Sequence, residues 1–120
     1  METAASPEEV LSIGPVEIRP AGGLVTLSGR TLVLSVREFA LLVAMARKAG
    51  RIVSRGELYA LVWGAPLRAG DRSVDVYVHK LRVKLEEGAP GWVFIHTHVG
   101  FGYRFAPEPS HLFHKTATTR

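Results

Sequence analysis

The stretch DRSVDVYVHKLRVKLEEG, Asp71 to Gly88, decides how the chain is read. Wound as a helix at about 100° per residue, it brings Val74, Val78, Leu81 and Leu85 onto one stripe, with Tyr77 at the margin. That stripe is the buried one. The opposite side gathers Arg72, Val76, His79, Lys80 and Val83, a basic face with two small apolar groups where a solvated helix would carry charge. A partner for such a face is anionic and partly apolar. The DNA major groove is both, with phosphates along its rim and base edges and thymine methyls on its floor. Taken alone, however, a basic face more often belongs to a solvated amphipathic helix.

Two helices are expected upstream. Ser35-Val36-Arg37-Glu38 sets a hydroxyl three residues before a glutamate, a capping box, and Phe39, Leu42, Val43 and Ala46 recur at helical spacing. Gly50 is placed to close that helix. Ser54-Arg55-Gly56-Glu57 repeats the device ahead of Leu58, Leu61 and Val62, and Gly64 ends the second helix after Trp63. Ala65 to Gly70 contains a proline and two glycines with the flanking Gly64 and forbids a continuous helix into the Asp71 stretch, which Asp71 itself is placed to cap. Further upstream, Val16 and Ile18, then Leu24, Val25 and Leu27, then Leu32 and Leu34, are separated by glycine turns and predict an antiparallel meander of about three strands.

Downstream, Gly88-Ala89-Pro90-Gly91 breaks the helix. Trp92 to Thr97 is β-branched and aromatic, His98 to Gly102 supplies a turn, and Tyr103-Arg104-Phe105 a returning strand. The expected class is α+β: a small N-terminal antiparallel sheet, three helices and a C-terminal β-hairpin, the order of a winged helix-turn-helix. The expected division is a flexible lead-in over 1–12, the winged-helix domain over 13–106 and a tail over 107–120, in which His111, Leu112 and Phe113 are candidates to dock.

Composition is permissive. One hundred and twenty residues allow one domain with one core. A net charge of +4 favours an acidic partner without identifying it. The absence of cysteine excludes disulfides, thiolate metal sites and a cysteine nucleophile. The acidic N-terminus does not resemble a signal peptide and no apolar run has the length of a membrane span, so a cytoplasmic location with no membrane partner is expected.

Other chemistries fare poorly. His96 and His98 lie two apart on a strand and His111 and His114 three apart, but no carboxylate cluster accompanies either pair, so no metal site or cofactor is expected. Ser35, Ser54 and Ser73 are accounted for as cap or first-turn residues, leaving no nucleophile–base pair and no enzyme. Gly100-Phe101-Gly102 lacks the helix and third glycine of a phosphate loop and reads as a tight hairpin. Trp63 and Trp92 are expected mainly to line the core.

The residues themselves resemble the OmpR/PhoB-type winged-helix effector domains of bacterial transcription regulators, from about Val16 to Phe105. The resemblance runs through Leu34-Ser35-x-Arg37-Glu38-Phe39-x-Leu41-Leu42, Gly50-x-Ile52-Val53-Ser54-Arg55-x-x-Leu58 and Val62-Trp63-Gly64. It continues through Asp71-Arg72-Ser73-Val74-Asp75-Val76-x-Val78-x-Lys80-Leu81-Arg82-x-Lys84-Leu85 and Gly100-x-Gly102-Tyr103-Arg104-Phe105. It implies sequence-specific binding of double-stranded DNA in transcription regulation, with Val76, His79, Lys80 and Val83 towards the bases. Arg72 falls on the same DNA-facing side, Trp63 at a backbone contact, and Thr97 and Tyr103 at wing positions that contact phosphate. It also implies that segment 64–70 faces RNA polymerase or a neighbouring protomer, and that the domains bind direct repeats in tandem. Arg82 lies between the two helix faces, open to a phosphate contact or a bridge to Asp75.

Three departures stand out. His79-Lys80 replaces two basic residues in mid-helix. The wing pattern Thr-Val-Arg-Gly-x-Gly-Tyr reads Thr97-His98-Val99-Gly100-Phe101-Gly102-Tyr103 here, so Val99 holds the place of the arginine that enters the minor groove, with His98 and Arg104 as candidate substitutes. Members typically carry an N-terminal receiver domain; were the natural protein no longer than this chain, control would pass to abundance, a partner or self-association. The competing reading is a winged helix that docks a protein, RNA polymerase or another regulator, through Val76, Val83, Val99 and Phe101, with weak or lost DNA binding.

Overall fold

The computed structural model describes residues 8–111. Its elements run β1 (Leu11–Ile13), β2 (Val16–Arg19), a 3-10 turn (Pro20–Gly22), β3 (Leu24–Leu27), β4 (Arg30–Thr31), α1 (Val36–Arg47), β5 (Ile52–Val53), α2 (Arg55–Trp63), α3 (Ser73–Gly88), β6 (Trp92–His98) and β7 (Gly102–Pro109). This is the α+β winged-helix arrangement expected from the order of patterns. The first four strands form one antiparallel sheet in sequence order; β5, β7 and β6 form a second, with β7 in the middle.

The first sheet has four strands, and its outer two differ from expectation. β1 begins at Leu11, inside the stretch read as lead-in, because Leu11 and Ile13 pair with Ile18 and Val16. The last strand is Arg30–Thr31, not Leu32 and Leu34; those two leucines follow it as a half-buried coil packed on the core. The registers Val16↔Leu27 and Ile18↔Val25 put four apolar side chains on one face, all at most 2% exposed. That face covers the helices.

Each helix starts where its cap directs. At α1 the Ser35 hydroxyl accepts the Glu38 amide and the Glu38 carboxylate accepts the Ser35 amide, so the capping box is complete. At α2 only half is made: Ser54 accepts the Glu57 amide, while the Glu57 carboxylate lies 3.3 Å from Lys48. Gly64 closes α2 in the left-handed region, φ 76°. Asp71 precedes the formal cap position of α3, yet it still takes the Ser73 amide at 2.8 Å and the Ser73 hydroxyl at 2.6 Å. The anticipated Gly88 break is instead the last residue of α3. Its role is spatial, since a Cβ there would stand 2.7 Å from Leu27 Cδ1.

The core joins both sheets and all three helices. Val74, Val78, Leu81 and Leu85 of α3 are buried as read. On α1 the buried set also takes in Leu41 and Met45, whereas Phe39 is only half-buried. On α2 Leu58 is buried but Leu61 is 53% exposed, so the apolar stripe of that helix is narrower than its sequence suggests. Removing a side chain such as Leu81, with 0% exposure, belongs to the class of core truncations costing about 2–5 kcal/mol.

β7 continues to Pro109, beyond the Tyr103-Arg104-Phe105 expected for the return strand, with Glu108 opposite Val93 and Pro109 opposite Trp92. β5 reaches only Tyr103 and Arg104 of β7. Past Phe105 β7 is therefore an edge, where prolines are tolerated. Leu112, Phe113 and His114, with most of the tail and residues 1–7 of the lead-in, lie outside the described residues.

Candidate nucleic-acid interface

The outer face of α3 is built by default: once Val74, Val78, Leu81 and Leu85 are buried, helical geometry leaves Arg72, Val76, His79, Lys80 and Val83 facing out. All five are exposed, Val76 at 47% and Val83 at 37%. Among the described residues, the Val76, His79 and Val83 side chains carry no bond of the fold. Lys80 Nζ sits 4.9 Å over the Tyr77 ring, which leaves its charge at the surface. Arg72 is less free, donating to Asp75 at 3.0 Å while 75% of its side chain is exposed.

Asp75 is the centre of the site. Arg55 of α2 donates to its Oδ1 at 2.7 Å, Arg72 to its Oδ2, and the Tyr103 hydroxyl of β7 donates to Oδ1 as well. One carboxylate thus fastens the second helix, the third helix and the wing. Burial alone would raise the Asp75 pKa, but the hydrogen bonds from Tyr103 and Arg55 and the charges of Arg55 and Arg72 outweigh it and hold the group below the ordinary carboxylate range. The Tyr103 hydroxyl is pushed up, first by burial and then by its bond to the Asp75 carboxylate.

Two expectations are corrected here. Tyr103 is only 5% exposed and its hydroxyl is committed to Asp75, so it supports the wing from inside and does not present a phosphate contact. The reason is parity: Tyr103 pairs with Val53 across β5, turning its ring inward over the core. Arg82 does not bridge to Asp75. Its Nε and Nη2 donate to the Ile95 carbonyl at 3.3 and 3.0 Å, and Nη2 to Thr97 Oγ1 at 2.9 Å. Arg82 therefore clamps the first wing strand to α3.

The remaining wing residues divide. Thr97 is exposed; His98 and Arg104 are half-buried and bonded to each other, Arg104 Nε donating to His98 Nε2 at 3.0 Å. His96, read as a surface histidine, is half-buried with Nε2 2.8 Å from the Ala106 carbonyl. At the tip, Val99 and Phe101 are 88% and 72% exposed. Trp63 is half-buried between Tyr59, stacked at 4.9 Å, and Tyr77, edge-on at 5.7 Å, with the Arg37 guanidinium 4.8 Å over its ring. The segment from Gly64 to Gly70 is exposed except for Leu67.

A second charged tie lies behind the face. Glu38, at 4% exposure, receives Lys84 Nζ at 2.7 Å and so joins α1 to α3. Burial works against its charge, but the Lys84 hydrogen bond, the Ser35 amide and the Lys84 charge prevail and its pKa lies below the ordinary value. Carboxylates depressed on folding stabilise the fold above their unfolded pKa and lose that contribution as pH falls through the folded value. The melting temperature is therefore expected to hold down to about pH 5 and then to fall as the pH drops through about 4 and below. The acid limb should shrink in Glu38→Gln and Asp75→Asn; a limb unchanged in both variants would contradict these assignments.

Among the described residues no cluster of three or more metal-binding side chains occurs, and no helix is long and apolar enough to cross a membrane. Residues 29–105 match the family described as transcriptional regulatory protein, C terminal. The chain belongs to this family. It is an OmpR/PhoB-type winged-helix domain, as its motifs indicated. The sensory transduction protein RegX3 of Mycolicibacterium smegmatis is 35% identical over 103 residues, covering 86% of this chain and 45% of that protein. The chain thus spans less than half the length of such relatives. Among solved structures, the RstA DNA-binding domain of Klebsiella pneumoniae in complex with the RstA box shares a TM-score of 0.75 and 35% identity, covering 82% of this chain and 98% of that one. The AdeR DNA-binding domain, solved in complex with an intercistronic region, gives 0.68 and 28%, covering 80% and 98%.

Proposed function

We propose that this domain binds duplex DNA sequence-specifically as the effector part of a transcription regulator, with α3 in the major groove and the β6–β7 wing on the adjoining backbone or minor groove. The observation that carries the reading is the outer face of α3, where Val76, His79, Lys80 and Val83 are exposed and largely free of structural duty beside a wing fastened by Arg82. These four face the bases. Arg72, Thr97, His98 and Arg104 meet phosphate or sugar, Trp63 flanks the backbone contact, and Arg82 and Tyr103 position the wing. Occurrence of the RstA and AdeR domains in complexes with DNA supports the reading.

The exposed segment 64–70 is suited to RNA polymerase or a neighbouring copy, and tandem binding on direct repeats follows the same reading. The site of action is the cytoplasm, where the DNA is. The test is a salt titration on a duplex selected from a random pool. Binding through several phosphates falls linearly and steeply in a log–log plot, and a flat plot would favour the protein-docking alternative. Lys80→Ala and His79→Ala are expected to cost about 1–3 kcal/mol at particular base positions. Uniform weakening across all sequences would remove the base-reading role.

A further inference from the structure

The wing tip is built as a stiff apolar point. Only Val99, Gly100 and Phe101 separate the paired residues His98 and Gly102, and the Phe101 amide donates back to the His98 carbonyl at 2.8 Å. Gly100, φ 84°, permits the turn. Gly102 lies so close to β5 that a Cβ there would be 2.1 Å from the Val53 carbonyl oxygen. On this support stand two large side chains, Val99 and Phe101, that nothing among the described residues covers. A tip meant only for water would be polar.

What covers the tip is decided by its continuity with the proposed DNA face and by the charge around it. Thr97, two residues before Val99, is bonded to Arg82 of α3, so at about 3.3 Å per strand residue Val99 stands roughly 7 Å beyond a fixed point on the reading helix. With α3 in a major groove, a rigid projection beside it meets the neighbouring backbone and minor groove. The exposed cations of the adjoining α3 face, Arg72 and Lys80, are matched to phosphates and poorly matched to a basic or purely apolar protein surface, whereas Arg82 is spent on Ile95 and Thr97 and Arg104 faces His98 and Glu108.

Resting on the DNA-binding reading, we propose that Val99 and Phe101 form an apolar wedge that enters the minor groove beside the α3 site and selects a deformable base step there. An apolar side chain in the minor groove gains by displacing water but must part or tilt the stacked bases, which is easiest at pyrimidine–purine steps such as TA and CA. The wing then contributes specificity through DNA deformability, with no cation needed at its point.

The test compares duplexes selected from a random pool by the wild-type chain and by Phe101→Ala. The substituted side chain is exposed, so the melting temperature should not change and any effect belongs to binding. Phe101→Ala is expected to keep the base preferences set by α3, to lose the preference for a pyrimidine–purine step at the flank, and to bind the wild-type winner about 10-fold more weakly. Its log–log salt slope should stay that of the wild type, because no cation is removed. In Val99→Arg the slope should steepen by about 0.9 for one added phosphate contact. Unchanged flank preference and affinity in Phe101→Ala, or an unchanged slope in Val99→Arg, would overturn the wedge while leaving the α3 reading in place, and the tip would then be available to a protein. A wild-type chain that enriches no duplex at all would instead remove the DNA reading on which the wedge rests.

Discussion

Gly102→Ala is expected to destabilise the domain by about 2–5 kcal/mol, the sum of forcing an alanine into a glycine-only backbone region and displacing a packed neighbour. Gly102 has φ 145°, and the added methyl would lie 2.1 Å from the Val53 carbonyl oxygen and 2.8 Å from its carbonyl carbon. Both obstacles are backbone, so no side-chain rotation relieves them. The short strand β5 must separate from β7, and with it go the pairings Val53↔Tyr103 and Ile52↔Arg104 that hold the wing. Urea unfolding with the slope held fixed measures the loss. In DNA binding the same variant should lose affinity even under conditions where it remains folded, because the wing shifts relative to α3. A loss under about 1 kcal/mol would mean that β5 yields easily and that the wing is not fixed there. Gly100→Ala is the control: its φ of 84° is also strained, but a Cβ at Gly100 meets nothing within 4 Å.

Asp75→Ala is expected to cost about 2–4 kcal/mol, through a buried hydroxyl left without its acceptor and two arginines left without their carboxylate. The side chain of Asp75 is 16% exposed, whereas Arg55 is 40% and Arg72 75% exposed. Both guanidinium groups can therefore turn to water, and most of the loss falls on Tyr103, which cannot. The conservative comparison is Tyr103→Phe. It removes one donor and leaves Asp75 with both arginines, so about 0.5–1.5 kcal/mol is expected. Chemical denaturation of the two variants should show Asp75→Ala as the more damaging; the reverse order would mean that the Tyr103 hydroxyl, not the Asp75 carboxylate, organises the junction.

Much of the fold was legible because its signals are local. Ser35 and Glu38 are three residues apart, and their reciprocal bonds depend on nothing beyond one helical turn. The stripe of α3 recurs at alternating steps of four and three residues, and all four of its members are buried. Signals failed where they depended on distant partners. Asp75 finds Arg55 and Tyr103, 20 and 28 residues away in sequence, and no pattern within α3 distinguishes that aspartate from a solvated one. Arg55 read only as part of a cap. The phosphate contact of Tyr103 was implied by the resemblance alone, and its inward facing is set by the pairing of β7 with β5, a two-residue strand too short to show alternation. Arg82 behaves likewise, since its choice of Ile95 and Thr97 over Asp75 depends on where β6 crosses the helix. At the candidate site, the exposed members of α3 were legible from periodicity, whereas the restraints that aim them were not.

The division of α3 into a fastened side and a free side bears on how such a domain can diverge. Val74, Val78, Leu81 and Leu85 hold the core, and Asp75 and Arg82 hold the neighbouring elements. Among the described residues, the side chains of Val76, His79 and Val83 make no hydrogen bond or ion pair to another element. Substitutions at those three positions should leave folding almost untouched, so gene copies of this domain could drift apart in the operators they recognise without first acquiring compensating stabilising changes.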